Sequence, residues 1–278
     1  MFLPWGSAAG KSADAPAMRR GGPSCPKESP ASMQHALADF AIRLIAGVGL
    51  MLCAMPRRAV PSPFFRIMLL LILGLGALFT LAEPQALWPG SAICAASFIG
   101  SVFWQLERRR TGTVALGIAT ALALIELVAF HVSAPPGSGL GKHWLETASA
   151  LASSATLGAA LAGMLLGHRY LTAPGMPLAP LIHLNFCLGT AAILRFVVSA
   201  IALASGFGAL TQSTYWIFLA LRWLAGILGP MAVCIMVHRI LRYRNTQAAT
   251  GVLFVGVIVT FIGELTADLL FRTLHVPF

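Results

Sequence analysis

Charged side chains are scarce, at 10% of the 278 residues where a soluble domain carries about a quarter. With 58% apolar residues and a mean hydropathy of +0.82, that scarcity excludes an ordinary soluble domain and points to a polytopic membrane protein. Paired cysteines are missing too. The five cysteines, Cys25, Cys53, Cys94, Cys187 and Cys234, stand alone, with no CxxC, CxxCH or zinc-type Cys/His spacing. This argues against a disulfide framework, structural zinc and covalent c-type haem. Four of them lie in apolar runs, where a lone thiol packs as a small apolar group. No GxSxG, HExxH or P-loop occurs, which disfavours a hydrolase, and no internal repeat suggests a duplicated transporter.

The net charge of +10 would suggest nucleic acid in a soluble chain. Here the basic residues sit beside apolar runs and serve topology, so no nucleic-acid partner is expected. Residues 1–32 are rich in Gly, Pro, Ser and Ala, with no apolar period and no signal-peptide core. They read as a disordered tail or as a start assigned too early, with Met33 as the true start and 33–278 as one transmembrane domain.

Eight apolar segments follow, at 35–55, 65–82, 88–106, 113–132, 143–170, 178–205, 214–241 and 246–274. Each is near the roughly 20 residues a spanning helix needs, and each break carries Pro, Gly or charge. The expected fold is therefore an all-α bundle of about eight spanning helices. Lys and Arg fall at 57, 58, 66, 108–110, 169, 239, 242 and 244 in alternate loops, whereas the intervening loops carry only Lys142. That bias predicts cytoplasmic odd loops, both termini outside, and a bacterial inner membrane. A start at Met33 would remove the basic tail from the wrong side. Trp88, Trp144, Tyr215 and Trp216 fall at predicted outer boundaries, as an aromatic belt does. The small residues of the fifth segment, with Gly163 and Gly167, predict close approach of a neighbouring helix.

The last quarter, 221–274, organises the chain: two spanning runs flank a basic hinge and enclose Arg222, Pro230, Glu264 and Asp268. Other charges within predicted spans are Asp39, Arg43, Glu126, Glu146 and Arg195, all in the predicted outer half. Each costs roughly 2.5–3.5 kcal/mol at a helix centre, so such groups pair or line water. One reading is a polar pocket for a quinol, a proton path or a polar ligand. The other is a set of structural salt bridges, Asp39 or Glu264 against Arg43, Arg195 or Arg222. Asp39 and Glu146 are near enough to helix ends for simple solvation. Pro230 is expected to kink its helix inward of Arg222. Asn245 or Thr246 is expected to cap the last helix.

Seven histidines form two layers. His168, His183 and His238 lie near the predicted inner ends, and His35, His131, His143 and His275 near the outer ends. Facing imidazoles at one depth suit b-type haem, with His131 beside His35 or His143, and His168 beside His183 or His238. The bland reading is polar caps at headgroup level.

The stretches RNTQAATGVLFVGVIVTFIGEL (244–265) and LLGHRYLTAPGMPLAPL (165–181) resemble parts of a broad set of bacterial polytopic proteins. The eight-helix plan is also similar to the membrane anchors of the dimethyl-sulfoxide-reductase type. That topological resemblance implies a quinol site near the periplasmic face and electron transfer to an iron–sulfur partner subunit. The expected function is a non-catalytic membrane subunit of a redox complex holding quinone or haem b, in contact with membrane lipids. Its candidate cofactor-binding residues are Arg222, Glu264, Asp268, Arg195, Glu126, His131, His168, His183 and His238. A proton-coupled permease and a ligand-free assembly subunit are the alternatives.

In a chain whose own cysteines are replaced, an impermeant maleimide is expected to label a cysteine at Lys142 in intact cells, but not one at Arg109. Labelling at 109 alone would reverse the orientation.

Overall fold

Residues 30–132, 140–173, 175–206 and 213–274 are described by the structure, a computed structural model. They form α1 (Pro30–Ala54), α2 (Ser62–Ala82), α3 (Leu87–Gln105), α4 (Arg109–Val132), α5 (Leu140–Thr172) and α6 (Ala179–Gly206). α7 (Ser213–Trp223), a π turn (Leu224–Leu228), α8 (Gly229–Arg242) and α9 (Thr246–Leu274) complete the chain. Among the described residues, eight helical stretches are long and apolar enough to cross a membrane, with α7, the π turn and α8 acting as one. Residues 1–29 of the expected 1–32 tail, residues 133–139 between the fourth and fifth segments, and His275 lie outside the described residues, and the last three residues of that tail are helical in α1.

Every expected segment is present, and the boundaries move for identifiable reasons. α4 begins at Arg109, so Arg109 and Arg110 form its first turn and are not in a loop. The chain reverses quickly there because Glu107 adopts φ 54°, and Arg244 does the same with φ 56° between α8 and α9. A non-glycine residue in this left-handed region is uncommon, and here it closes two tight reversals at the arginine-rich end. Asn245 then caps α9 as expected, its Oδ1 accepting the Ala248 N–H at 3.0 Å.

Two helices occupy the centre. The most apolar window of α5 is 78% buried and that of α1 61%, against 33–44% for the other six spans. α5 packs on α1, α4, α6 and α9, while α1 also packs on α2 and α4. The outer faces present Ile67, Phe98, Ile118, Phe186, Ile193 and Ile258, an apolar exterior suited to lipid.

Glycine permits the closest crossings. A Cβ at Gly158 of α5 would lie 2.0 Å from the carbonyl carbon of Gly47 in α1. A Cβ at Gly263 of α9 would lie 2.1 Å from the Cα of Gly226 in the π turn. Gly163 and Gly167 do face a neighbour, α9, through Leu253 and Thr250, but the tightest α5 contact is at Gly158.

Where a kink is expected at Pro230, the helix widens locally. Pro230 occupies the first turn of α8, and the preceding five residues widen into the π turn, where Gly229 N–H donates to Leu224 O. One extra residue enters the turn, which shifts the helix faces on its two sides relative to one another.

Buried hydroxyls are mostly settled within their own helices. Thr120, Ser154, Thr156, Thr250 and Thr260 each donate to the carbonyl four residues back at 2.7–2.8 Å.

Gly158→Val and Gly263→Val are expected to destabilise the folded protein by at least about 1–3 kcal/mol through backbone collision. Gly74→Ala and Gly117→Ala, where a Cβ meets nothing within 4 Å, are expected to be neutral or mildly stabilising. Thermal unfolding in detergent with a size-exclusion readout separates the two sets.

Candidate functional site: a buried ion cluster

Glu264 lies on α9 one residue beyond Gly263, where the backbone of the π turn presses closest. Arg222 lies in the last turn of α7, one turn before Gly226, so this glycine contact carries the two charges toward each other. Arg222 Nη1 is 3.8 Å from Glu264 Oε1, and its Nη2 donates to Ser199 Oγ of α6 at 3.4 Å. From the same helix, Arg195 Nη2 contacts Glu264 Oε1 directly. The other carboxylate oxygen, Oε2, accepts the Ser153 hydroxyl of α5 at 2.5 Å and lies 3.7 Å from Arg43 Nη1 of α1. Ser153 thus departs from the back-bonding habit of Ser154 and Thr156 on its own helix.

Arg43 connects this centre to a second group. It binds Asp39, one turn earlier on α1, in bidentate fashion, Nε to Oδ1 at 2.9 Å and Nη2 to Oδ2 at 2.6 Å. His131 of α4 places Nε2 3.2 Å from Arg43 Nη2 and 3.3 Å from Asp39 Oδ1. Its Nδ1 is 2.8 Å from Leu127 O, which suits Nδ1–H as donor and leaves Nε2 as acceptor. The Phe40 and Phe261 rings, 5.3 Å apart edge to face, brace α1 against α9 nearby.

Arg195, Arg222 and Glu264 are 2%, 0% and 5% exposed. Water cannot solvate such charges, so each needs protein partners. Three guanidinium groups meet two carboxylates in direct contact, with Asp268 within electrostatic reach of Arg43. Donors are in surplus. Arg195 Nε and Nη1 are buried with no hydrogen-bond partner among the described residues. An arrangement of this kind can accept a carbonyl or anionic oxygen, and Asp39 with His131 can hold a proton beside it.

Of the residues expected from sequence, the structure gathers Arg195, Arg222, Glu264 and, through Arg43, His131, with Asp268 nearby. The salt-bridge pairings anticipated for Asp39, Arg43 and Glu264 are present, and Asp39 is held by Arg43 rather than left to solvent. Glu126 is apart, half-buried on α4 and bonded to no described residue. His168, His183 and His238 are exposed, and no hydrogen bond or ring contact joins them among the described residues. His35 stacks on Phe130 at 4.6 Å and reaches Glu83 at 3.2 Å, so it does not face His131 as a paired haem ligand would. Both ring nitrogens of His131 are engaged. No group of three or more His, Cys, Asp or Glu side chains with metal-binding placement occurs among the described residues. Sequence reading missed Ser153 and Ser199, whose hydroxyls look like any others in a span.

Comparisons with protein-family models, with curated proteins and with solved structures return no match.

Glu264→Leu would leave three arginines without their shared acceptor and is expected to cost about 3–5 kcal/mol of stability. Glu126→Leu is expected to change stability by less than about 0.5 kcal/mol. Denaturant unfolding of both variants in the same detergent checks the contrast.

Proposed function

We propose that the chain is a multi-pass protein of a bacterial cytoplasmic membrane, with its arginine-rich loops inside and both termini outside, that holds a quinone-class molecule at the ion cluster. The observation that carries this is Arg195, buried at 2% exposure beside Glu264 with two N–H-bearing nitrogens that have no hydrogen-bond partner among the described residues. Those donors suit a carbonyl oxygen of a lipid-soluble electron carrier. A quinone supplies two-electron, two-proton chemistry when bound. The protein's part is to orient the carbonyl with Arg195, to hold Arg195 and Arg222 in place with Glu264, and to exchange protons at Asp39 and His131. The last two groups are less deeply buried than Glu264 and lie toward the expected outer face. Electrons would pass to an iron–sulfur partner subunit, as in the anchors that the topology resembles. Haem b is the weaker candidate because His131 has no nitrogen to spare.

A second reading is favoured by the Gly226–Gly263 contact, which makes the cluster a tight joint between α9 and the α7–α8 span. In that reading the charges fasten helices and bind nothing.

Protein purified in mild detergent is expected to retain extractable quinone at near-stoichiometric level, and Arg195→Gln to lower it by about tenfold or more, the loss of one charged hydrogen bond. A reduced-minus-oxidised b-type band, or a folded sample free of quinone whose Arg195→Gln form differs only in stability, would overturn the quinone reading. The second result would establish the joint.

A further inference from the structure

A groove of about 400 Å³ opens between α6 and α8 at the arginine-rich end, far from the ion cluster along both helices. Its walls are apolar, from Ile182, Phe186 and Ile235, which all face outward. Arg239 and Arg242 lie at its mouth, both exposed, with His238 beside them. The floor holds Asn185, only 5% exposed. Its Nδ2 donates to the Cys234 main-chain carbonyl at 3.1 Å, which orients the side-chain amide, and the Cys234 thiol donates to the Asn185 main-chain carbonyl at 3.3 Å. That leaves the Oδ1 of Asn185 buried with no hydrogen-bond partner among the described residues. A buried acceptor in an apolar wall costs free energy unless a donor reaches it.

These features offer what an anionic phospholipid needs: apolar walls for acyl chains, two cations for the phosphate, and one buried acceptor for a hydroxyl. Basic pockets between spanning helices on the cytoplasmic side take acidic lipid head groups. We propose that the groove binds an anionic glycerophospholipid with a hydroxylated head group, phosphatidylglycerol in class, drawn from the surrounding bilayer. The acyl chains lie along Ile182, Phe186 and Ile235, Arg239 and Arg242 hold the phosphate, and a head-group hydroxyl donates to Asn185 Oδ1. This site rests on the membrane reading and is independent of the quinone reading.

Native mass spectrometry of the full chain in detergent, titrated with phosphatidylglycerol, phosphatidylethanolamine and phosphatidic acid, tests it. The wild type is expected to bind phosphatidylglycerol about tenfold or more tightly than phosphatidylethanolamine, and Arg239→Gln/Arg242→Gln to bring the two within about twofold. Both arginines are exposed, so the double variant keeps its fold. Asn185→Leu is expected to keep the preference for anions but to lower the ratio of phosphatidylglycerol to phosphatidic acid, while Asn185→Ser, which retains an acceptor, restores part of it. Equal binding of phosphatidylglycerol and phosphatidylethanolamine by the wild type, or a preference undiminished in the double arginine variant, overturns the site. An unchanged ratio in Asn185→Leu overturns the role of the amide. A protein recovered without detergent in the aqueous fraction would remove the membrane premise instead.

Discussion

A buried carboxylate that must satisfy several cations at once constrains everything around it. Glu264 can remain in the interior only because Arg43, Arg195, Arg222 and Ser153 converge on it from α1, α6, α7 and α5. The dependence runs both ways, since the Glu264 oxygens help to offset the desolvation of all three guanidinium groups, with Asp39 sharing Arg43 and Ser199 sharing Arg222. Five helices are thereby tied to one side chain, and the crossing geometry has little freedom. Two glycine contacts make that convergence possible. At Gly47–Gly158, α1 comes against α5, and at Gly226–Gly263 the π turn comes against α9. A methyl group at any of these positions would separate helices whose side chains have to meet at Glu264.

The π turn links local sequence to this centre. Pro230 has no N–H to give to the helix before it, and the backbone answers by admitting an extra residue between Arg222 and Gly229. The glycine-bearing face then meets α9 while Arg222 still points at Glu264. The result is a molecule with two unlike ends. At one, tight left-handed reversals at Glu107 and Arg244 keep the arginines at the surface. Toward the other, charge is drawn inside and closed into a network, where Arg195 keeps two nitrogens without a hydrogen-bond partner among the described residues.

Much of the fold was legible because apolar runs of about 20 residues, broken by Pro, Gly or charge, are what helices long enough to cross a bilayer require. The start of α4 was misplaced because a left-handed Glu107 shortens a turn in a way composition does not signal. The π turn was invisible for a related reason, since the residues of LAGIL suit an α-helix equally well and Pro230 reads as a kink in either case. For the cluster, the i to i+4 spacing of Asp39 and Arg43 and the isolated charges at 195, 222 and 264 were sufficient warning. Histidine depth misled because position along a helix says nothing about the direction it faces. His168, His183 and His238 share a level but turn outward, whereas His131 turns into the Asp39–Arg43 pair. Ser153 and Asn185 gave no signal, because a hydroxyl or an amide in a span reveals its partner only when the neighbouring helix is in place.

The most direct test of Glu264 as the common tie is a double-mutant cycle between Arg195→Leu and Glu264→Leu, read by reversible unfolding in detergent. The two substitutions are expected to be non-additive, with the double variant more stable than the sum by about 1–3 kcal/mol, because removing both charges leaves neither one buried alone. Additivity within about 0.3 kcal/mol would mean that the two side chains do not share a site, and would contradict the account.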